Sequence, residues 1–249
     1  MRHPNISRQQ AVLLLGLVSL FGAMRAQVTV VGRVEVTGVP ASRRTLVPNT
    51  VVWLTPLSGS ATGMPATPPR DPAKANDPDF RLIQKNKSFE PHLLVVPVGS
   101  VVEFPNHDPF FHNVFSLFEG KRFDLGLYEA GSTRIVHFDR PGVSYIFCNI
   151  HPEMSAVIVT VNTPWYAISS PLGQLSIANV PHGRYLMHIW SEQRNADNAE
   201  PETKEITISE ETPSLGVIRV RAVNGEVLAH KNKYGRDYDQ PTPDSPVYH

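Results

Sequence analysis

The stretch Ser144-Tyr145-Ile146-Phe147-Cys148-Asn149-Ile150-His151-Pro152-Glu153-Met154 decides how this chain is read. Its first half, Ser144 to Cys148, is a β-branched and aromatic run that reads as a strand, with Pro141-Gly142 as the turn before it. Its second half leaves that strand as a short loop and places a thiol, an imidazole and a thioether within seven residues. A loop this short can turn Cys148, His151 and Met154 inward onto one point. Upstream, Asn106-His107-Asp108-Pro109-Phe110-Phe111-His112-Asn113-Val114 sets another histidine at the mouth of a second strand. His112 directly precedes that strand and is the expected fourth donor. His107, five residues earlier, is its rival and is expected on the loop outside.

A thiolate and two imidazoles with a weak thioether make the ligand field of a blue-copper centre. Zinc fits less well, because its sites use cysteine, histidine or carboxylate and rarely a thioether. Cys148 is also the single cysteine in 249 residues, which excludes disulfides within the chain, iron–sulfur clusters and four-thiolate zinc sites. Of the other histidines, His92, His137, His182, His188 and His230 form no second cluster by spacing. His137 alternates with Val136 and Phe138 and is expected to point out of its strand.

Outward from this constellation the pattern stays β. Strand signals fall at Val28–Val36, Asn49–Leu54, Leu93–Pro97, Ser100–Phe104, Asn113–Phe118, Ser132–Phe138 and Ala156–Asn162. A later block repeats them at Gln174–Ile177, Tyr185–Trp190, Lys204–Ile208 and Gly216–Ala222. Many short strands with turns between them predict sandwiches or barrels. The 23 prolines, about twice ordinary usage, speak against a helical protein, and 41% hydrophobic residues speak against a disordered one. A formal charge of zero gives no nucleic-acid footprint.

Residues 1–26 read as an export signal: Arg2 and Arg8 without an acid, an apolar run from Ala11 to Ala23, then Met24-Arg25-Ala26. The run is shorter than the roughly 20 residues a spanning helix needs, so no membrane span is expected once it is cleaved, after Ala23 or Ala26. Cleavage after Ala26 removes three of the 23 basic residues and leaves 23 acidic ones, a mature charge of −3. The protein is therefore expected in the periplasm or secreted, where an unpaired thiol needs an explanation. A metal supplies one.

The segment 81–162 resembles the cupredoxin family of the plastocyanin, pseudoazurin and amicyanin type. The resemblance rests on Phe89-Glu90-Pro91, Val98-Gly99-Ser100-Val101-Val102-Glu103-Phe104, His112-Asn113-Val114, Phe123-Asp124-Leu125-Gly126, Asp139-Arg140-Pro141-Gly142 and the ligand loop itself. The Cys-x2-His-x2-Met spacing, with Pro152 after the histidine, is similar to the short amicyanin loop. It implies one type 1 copper held by His112, Cys148, His151 and Met154. It further implies that Asn113 braces the two ligand loops by hydrogen bonds, some of them to the thiolate.

The flanks, 27–57 and 163–222, resemble a carboxypeptidase-regulatory-like (transthyretin-like) sandwich. Val31-Gly32-Arg33-Val34 and Val51-Val52-Trp53-Leu54 look like its opening strands, and Pro181-His182-Gly183-Arg184-Tyr185 looks like its Pro-x-Gly-x-Tyr corner. The aspartate usual before the preceding turn is missing. The expected fold is thus all-β: a Greek-key cupredoxin sandwich inserted in, or packed beside, a second small sandwich. Residues 58–80 read as a proline-rich loop and 223–249 as a disordered tail.

The function these readings imply is one-electron transfer, without enzymatic turnover, to a transient redox partner such as a cytochrome or a periplasmic oxidoreductase. Basic and acidic residues nearly balance across 81–162, so docking is expected to be mainly apolar. Pro109, Phe110, Phe111, Ile150 and Pro152 are candidates for an apolar rim around an exposed edge of His151. The alternative places the two phenylalanines in the core. Copper storage or handling, and an envelope- or carbohydrate-binding module, are the rival functions. An oxidase or nitrite reductase would need a second copper site, for which there is neither a His-Cys-His run nor a spare histidine cluster.

Overall fold

The computed structural model describes residues 27–38, 49–57, 78–117, 120–192, 201–221 and 231–238. Two strands come first, β1 (Gln27–Thr37) and β2 (Thr50–Pro56). The middle of the chain forms β3 (Phe80–Arg81), β4 (Ile83–Lys85), β5 (Ser88–Glu90), β6 (Leu93–Pro97), β7 (Ser100–Pro105), β8 (His112–Ser116), β9 (Phe123–Tyr128), β10 (Thr133–Phe138), β11 (Gly142–Cys148) and β12 (Ser155–Val161). Then follow β13 (Tyr166–Ile168), β14 (Gln174–Pro181), β15 (Gly183–Ser191), β16 (Glu202–Ile208) and β17 (Ser214–Arg221). No helix occurs among the described residues.

β1 and β2 find their partners across the whole intervening segment. The sheets β14-β1-β17 and β13-β2-β15-β16 face each other around a core that includes Val30, Val34, Leu54, Ile177, Tyr185 and Ile218. The alternation of β1 sends Val30, Val34 and Val36 inward and leaves Gln27, Thr29 and Val31 exposed. Tyr185 closes one corner by donating its hydroxyl proton to the Pro181 carbonyl over 2.7 Å.

The segment from β3 to β12 is a second β-sandwich that enters this fold between β2 and β13. Its sheets are β6-β12-β11-β8-β9 and β10-β7-β3, with the β4-β5 hairpin at one end. Phe89, Phe104, Val114, Phe138, Ile146 and Ile158 form much of its core, and Cys148 and Met154 belong to the same cluster.

A third apolar cluster lies between the two sandwiches. Tyr145, Phe147, Val157 and Val159 on the outer face of the five-stranded sheet pack against Val51, Trp53 and Trp190 of the four-stranded one. Trp190 is fully buried, and its indole N–H donates to the Tyr145 hydroxyl at 3.4 Å. β2, β11 and β12 are therefore buried on both faces, which is why they read as nearly continuous apolar runs rather than alternating ones. The sandwiches are packed through a hydrophobic core of their own. A flexible tether would leave that surface wet.

A polar latch borders this interface. His92, just before β6, pairs its Nε2 with the Glu192 carboxylate, while its Nδ1 lies 3.0 Å from the Ser155 carbonyl. Asn49 Nδ2 donates to the other Glu192 oxygen at 3.0 Å. Both ring nitrogens face acceptors, so the protonated imidazole suits the site, and the hydrogen bond to Glu192 raises the His92 pKa above its ordinary 6.5 despite burial. Burial pushes the Glu192 carboxyl up, but the bond and charge of His92 hold it below its ordinary 4.5. A raised histidine stabilises the fold fully below its unfolded pKa and stops doing so as pH rises through the folded one. A depressed carboxylate stabilises above its unfolded pKa and fails as pH falls through the folded one. The latch is thus fully closed between pH 4.5 and 6.5. The melting-temperature difference between the wild type and Glu192→Gln should be largest in that window and shrink at higher pH. A difference that does not vary with pH would show that the pair is inert.

Some expectations change. The signals missed Phe123–Tyr128 (β9) and the short β3, β4, β5 and β13, because glycine-containing or two- to three-residue strands carry little periodicity. Of the loop expected over 58–80, residues 58–77 lie outside the described residues, and Phe80 already pairs with Val102 of β7. Of the tail, residues 231–238 are described, and there Lys233 and Tyr238 hydrogen-bond to the 148–154 loop. Residues 223–230 and 239–249, and the whole of 1–26, lie outside the described residues.

Candidate metal centre

Three strand ends converge at one end of the β3–β12 sandwich. Cys148 is the last residue of β11, and His112 is the first of β8, its antiparallel neighbour. The loop after β11 carries His151 and closes on itself: Met154 N–H donates to the His151 carbonyl at 3.1 Å, and Cys148 N–H to the Met154 carbonyl at 3.4 Å. This turn brings the chain back into β12 and buries Met154 to 1% exposure beside Cys148 in the core.

His112, Cys148 and His151 are all buried, and their donor atoms lie within 4.8 Å of one another. The Cys148 Sγ is 3.6 Å from the Nδ1 of His112 and 3.6 Å from the Nδ1 of His151. Metal–ligand bonds of about 2.3 Å to sulfur and about 2.0 Å to nitrogen, at angles between tetrahedral and trigonal, span about 3.5–3.7 Å. The residues present therefore fit one shared transition-metal ion. Among the described residues no other histidine, cysteine or carboxylate group of three does so. His107 is exposed, with its amide bonded to the Gln84 carbonyl, and it is His112 that lies against Cys148; His137 points outward as its alternation predicts.

Asp108, which the sequence reading passed over, fixes which nitrogen of His112 faces the sulfur. Its Oδ2 accepts from His112 Nε2 at 2.9 Å, which leaves the Nδ1 lone pair directed at Cys148. The carboxylate is held in turn by the β4-β5 turn, where Asn86 and Lys87 both have positive φ, the form that a two-residue hairpin adopts. Their N–H groups donate to Asp108 at 2.6 and 3.0 Å. Asn106 completes the loop by accepting the Asp108 N–H at 3.0 Å and donating to the Phe110 carbonyl at 2.8 Å. An Asn-x-Asp stretch just before a ligand strand was the available signal for this Asx-type turn.

The electrostatics favour a neutral metal-free site. Burial lowers the pKa of both His112 and His151, in His112 against the pull of Asp108. Burial raises the Cys148 thiol, although the backbone N–H groups of Asn113, Ile150 and His151 point at the sulfur and partly offset it. For Asp108, burial pushes upward, but hydrogen bonds from Lys87, His112 and Asn86 outweigh it and hold the carboxyl below its ordinary value. A cation bound to these ligands would release the thiol proton and receive a negative sulfur already surrounded by amide donors.

Asn113 links the ligand loops through its backbone. Its N–H faces the sulfur, and its carbonyl accepts the Asn149 N–H at 2.9 Å. Its side chain goes elsewhere, donating to Asp124 Oδ1 at 2.7 Å and the Gly126 carbonyl at 3.1 Å on β9. Phe110 is half-buried and covers both imidazoles, with ring centroids 5.3 Å from His112 and 5.4 Å from His151. Lys87 Nζ sits 5.4 Å from the same ring. Phe111, Pro109 and Pro152 are exposed around it, and Ile150 is half-buried; neither phenylalanine belongs to the core.

Replacing Asp108 with alanine strands the His112 Nε2–H and the Asn86 and Lys87 amides together. Loss of such a support costs roughly 10- to 100-fold in metal affinity. Competition with a copper chelator should show that loss, and an unchanged affinity would remove Asp108 from the site.

No protein-family model matches the chain, and no curated protein matches it in sequence. It is similar to several solved structures over about a third of its length. A copper-containing nitrite reductase from Thermus scotoductus SA-01 aligns at 27% identity and a TM-score of 0.32, over 33% of this chain and 22% of the reductase. A purple cupredoxin from Nitrosopumilus maritimus aligns at 24% identity and a TM-score of 0.31, over 33% of this chain and all of that one. A reduced amicyanin variant aligns at 21% identity and a TM-score of 0.33, over 36% of this chain and 88% of amicyanin.

Proposed function

We propose that this is an exported type 1 copper protein that carries single electrons between redox partners. The observation that carries the reading is the buried His112–Cys148–His151 triad, with two Nδ1 atoms 3.6 Å from one sulfur. Met154, buried beside it, is the expected weak axial ligand and the reason to prefer copper over zinc. Bound copper would supply a one-electron couple. The chain's own contribution is a preformed cage. Asp108 holds His112, the 148–154 turn holds His151 and Met154, and three amides face the sulfur, so the ligands have little room to rearrange between redox states.

Phe110 and its exposed neighbours Pro109, Phe111 and Pro152 shield this end from water and offer a small apolar surface for a transient partner. His151, 7% exposed, lies under that rim and is the proposed route for electrons. The export reading gives the unpaired thiol a compartment, and metal ligation protects it there.

Voltammetry of the copper-loaded protein separates carrying from storage. A carrier shows a reversible one-electron wave over repeated cycles and keeps its metal. A storage or handling protein loses copper on reduction, or exchanges electrons too slowly to give a wave.

A further inference from the structure

The segment Lys231–Tyr238 lies beyond both sandwiches in sequence, yet it reaches the metal end. The Tyr238 hydroxyl donates to the Cys148 carbonyl at 2.8 Å. The Lys233 N–H donates to Asn149 Oδ1 at 3.0 Å, and its Nζ binds Asp124 Oδ2 at 2.8 Å. Asp124 is the carboxylate that receives the Asn113 side chain. The contacts form a closed circuit, from Lys233 to Asp124, to Asn113, to Asn149 and back.

The circuit acts on a single peptide unit. The Cys148 carbonyl and the Asn149 N–H belong to one planar group. Tyr238 holds its oxygen, and the Asn113 carbonyl holds its hydrogen at 2.9 Å. Fixing that plane fixes the direction in which the next two amides, of Ile150 and His151, approach the sulfur. Building on the copper reading above, we propose that Lys231–Tyr238 is a strap completing the metal centre, with Tyr238 and Lys233 as positioning residues for the ligand loop. The hydroxyl presents its positive end to the Cys148 carbonyl, and the ammonium offsets the negative charge of Asp124 at the same end of the sandwich. They favour the electron-rich reduced state, so removing either should lower the reduction potential.

The test uses full-length Tyr238→Phe, Lys233→Met and Lys233→Arg, each with and without copper. In the metal-free proteins, iodoacetamide should alkylate Cys148 about fivefold faster in Tyr238→Phe and Lys233→Met, the effect of one lost hydrogen bond. In the copper-loaded proteins, the potential should fall and the thiolate band should shift, with Lys233→Arg close to wild type. A fall in potential of this pattern supports the proposal whatever the alkylation rates do. Faster alkylation with an unchanged potential and spectrum would reduce the strap to a structural cover and overturn the positioning role. If the wild type takes up no copper, the copper reading fails by itself. Alkylation then decides the strap: acceleration supports it and equal rates overturn it.

Discussion

Truncating Trp190 to alanine should lower the free energy of unfolding by about 3–5 kcal/mol, the cost of emptying a fully buried large aromatic site. Trp190 is the centre of the seam between the two sandwiches, where it meets Tyr145 and shares a cluster with Val51, Val159 and Val161. The substitution also leaves the Tyr145 hydroxyl without the indole donor in a buried place. A surface tryptophan on a domain joined by a loose linker would cost a fraction of that. Urea unfolding of the wild type should show one transition, because neither sandwich can separate without wetting this seam. Trp190→Phe should recover most of the loss. A Trp190→Ala variant within 1 kcal/mol of the wild type would show that the seam is not part of the folded core.

Replacing Cys148 with serine should have the opposite profile: little change in stability and loss of the metal site. The serine hydroxyl fits the space and can still accept from the amides of Asn113, Ile150 and His151, so the fold keeps its hydrogen bonds. It removes the thiol sulfur that both imidazoles face. Copper affinity should fall by more than the roughly 10- to 100-fold expected for a lost supporting group. His112→Ala should do the same while leaving Asp108 bonded to the hairpin amides. Isothermal titration with Cu(II), run beside thermal melting, reads both quantities. A Cys148→Ser protein that binds copper as tightly as wild type would put the site elsewhere.

The contrast between these two variants marks what could be read from residues alone. The cluster of His112, Cys148 and His151 was legible because metal chemistry demands particular residue types at short spacing: Cys148 and His151 lie on one loop, and His112 opens a strand. The supporting groups were not. Asp108 acts through a hairpin turn about 20 residues earlier, and nothing in the local pattern of either segment announces that contact. Asn113 was expected to brace the two loops by hydrogen bonds, some of them to the thiolate; its backbone makes those contacts, while its side-chain amide ties down β9. The seam was visible but unread. The runs Val51-Val52-Trp53-Leu54 and Tyr145-Ile146-Phe147 lack the alternation of a half-exposed strand, and that lack of alternation is the mark of burial on both faces. The strap escaped because its composition is that of a solvated tail. Charge and polarity describe how a segment interacts with water, not whether two of its side chains find partners on the surface it crosses.

One measurement bears most directly on the whole account. Cu(II) is added in steps to the metal-free, full-length protein while the visible spectrum is recorded. The account predicts an intense thiolate-to-copper band that grows to saturation at one copper per chain and does not form in Cys148→Ser. A wild-type protein that stays colourless through the titration would contradict it.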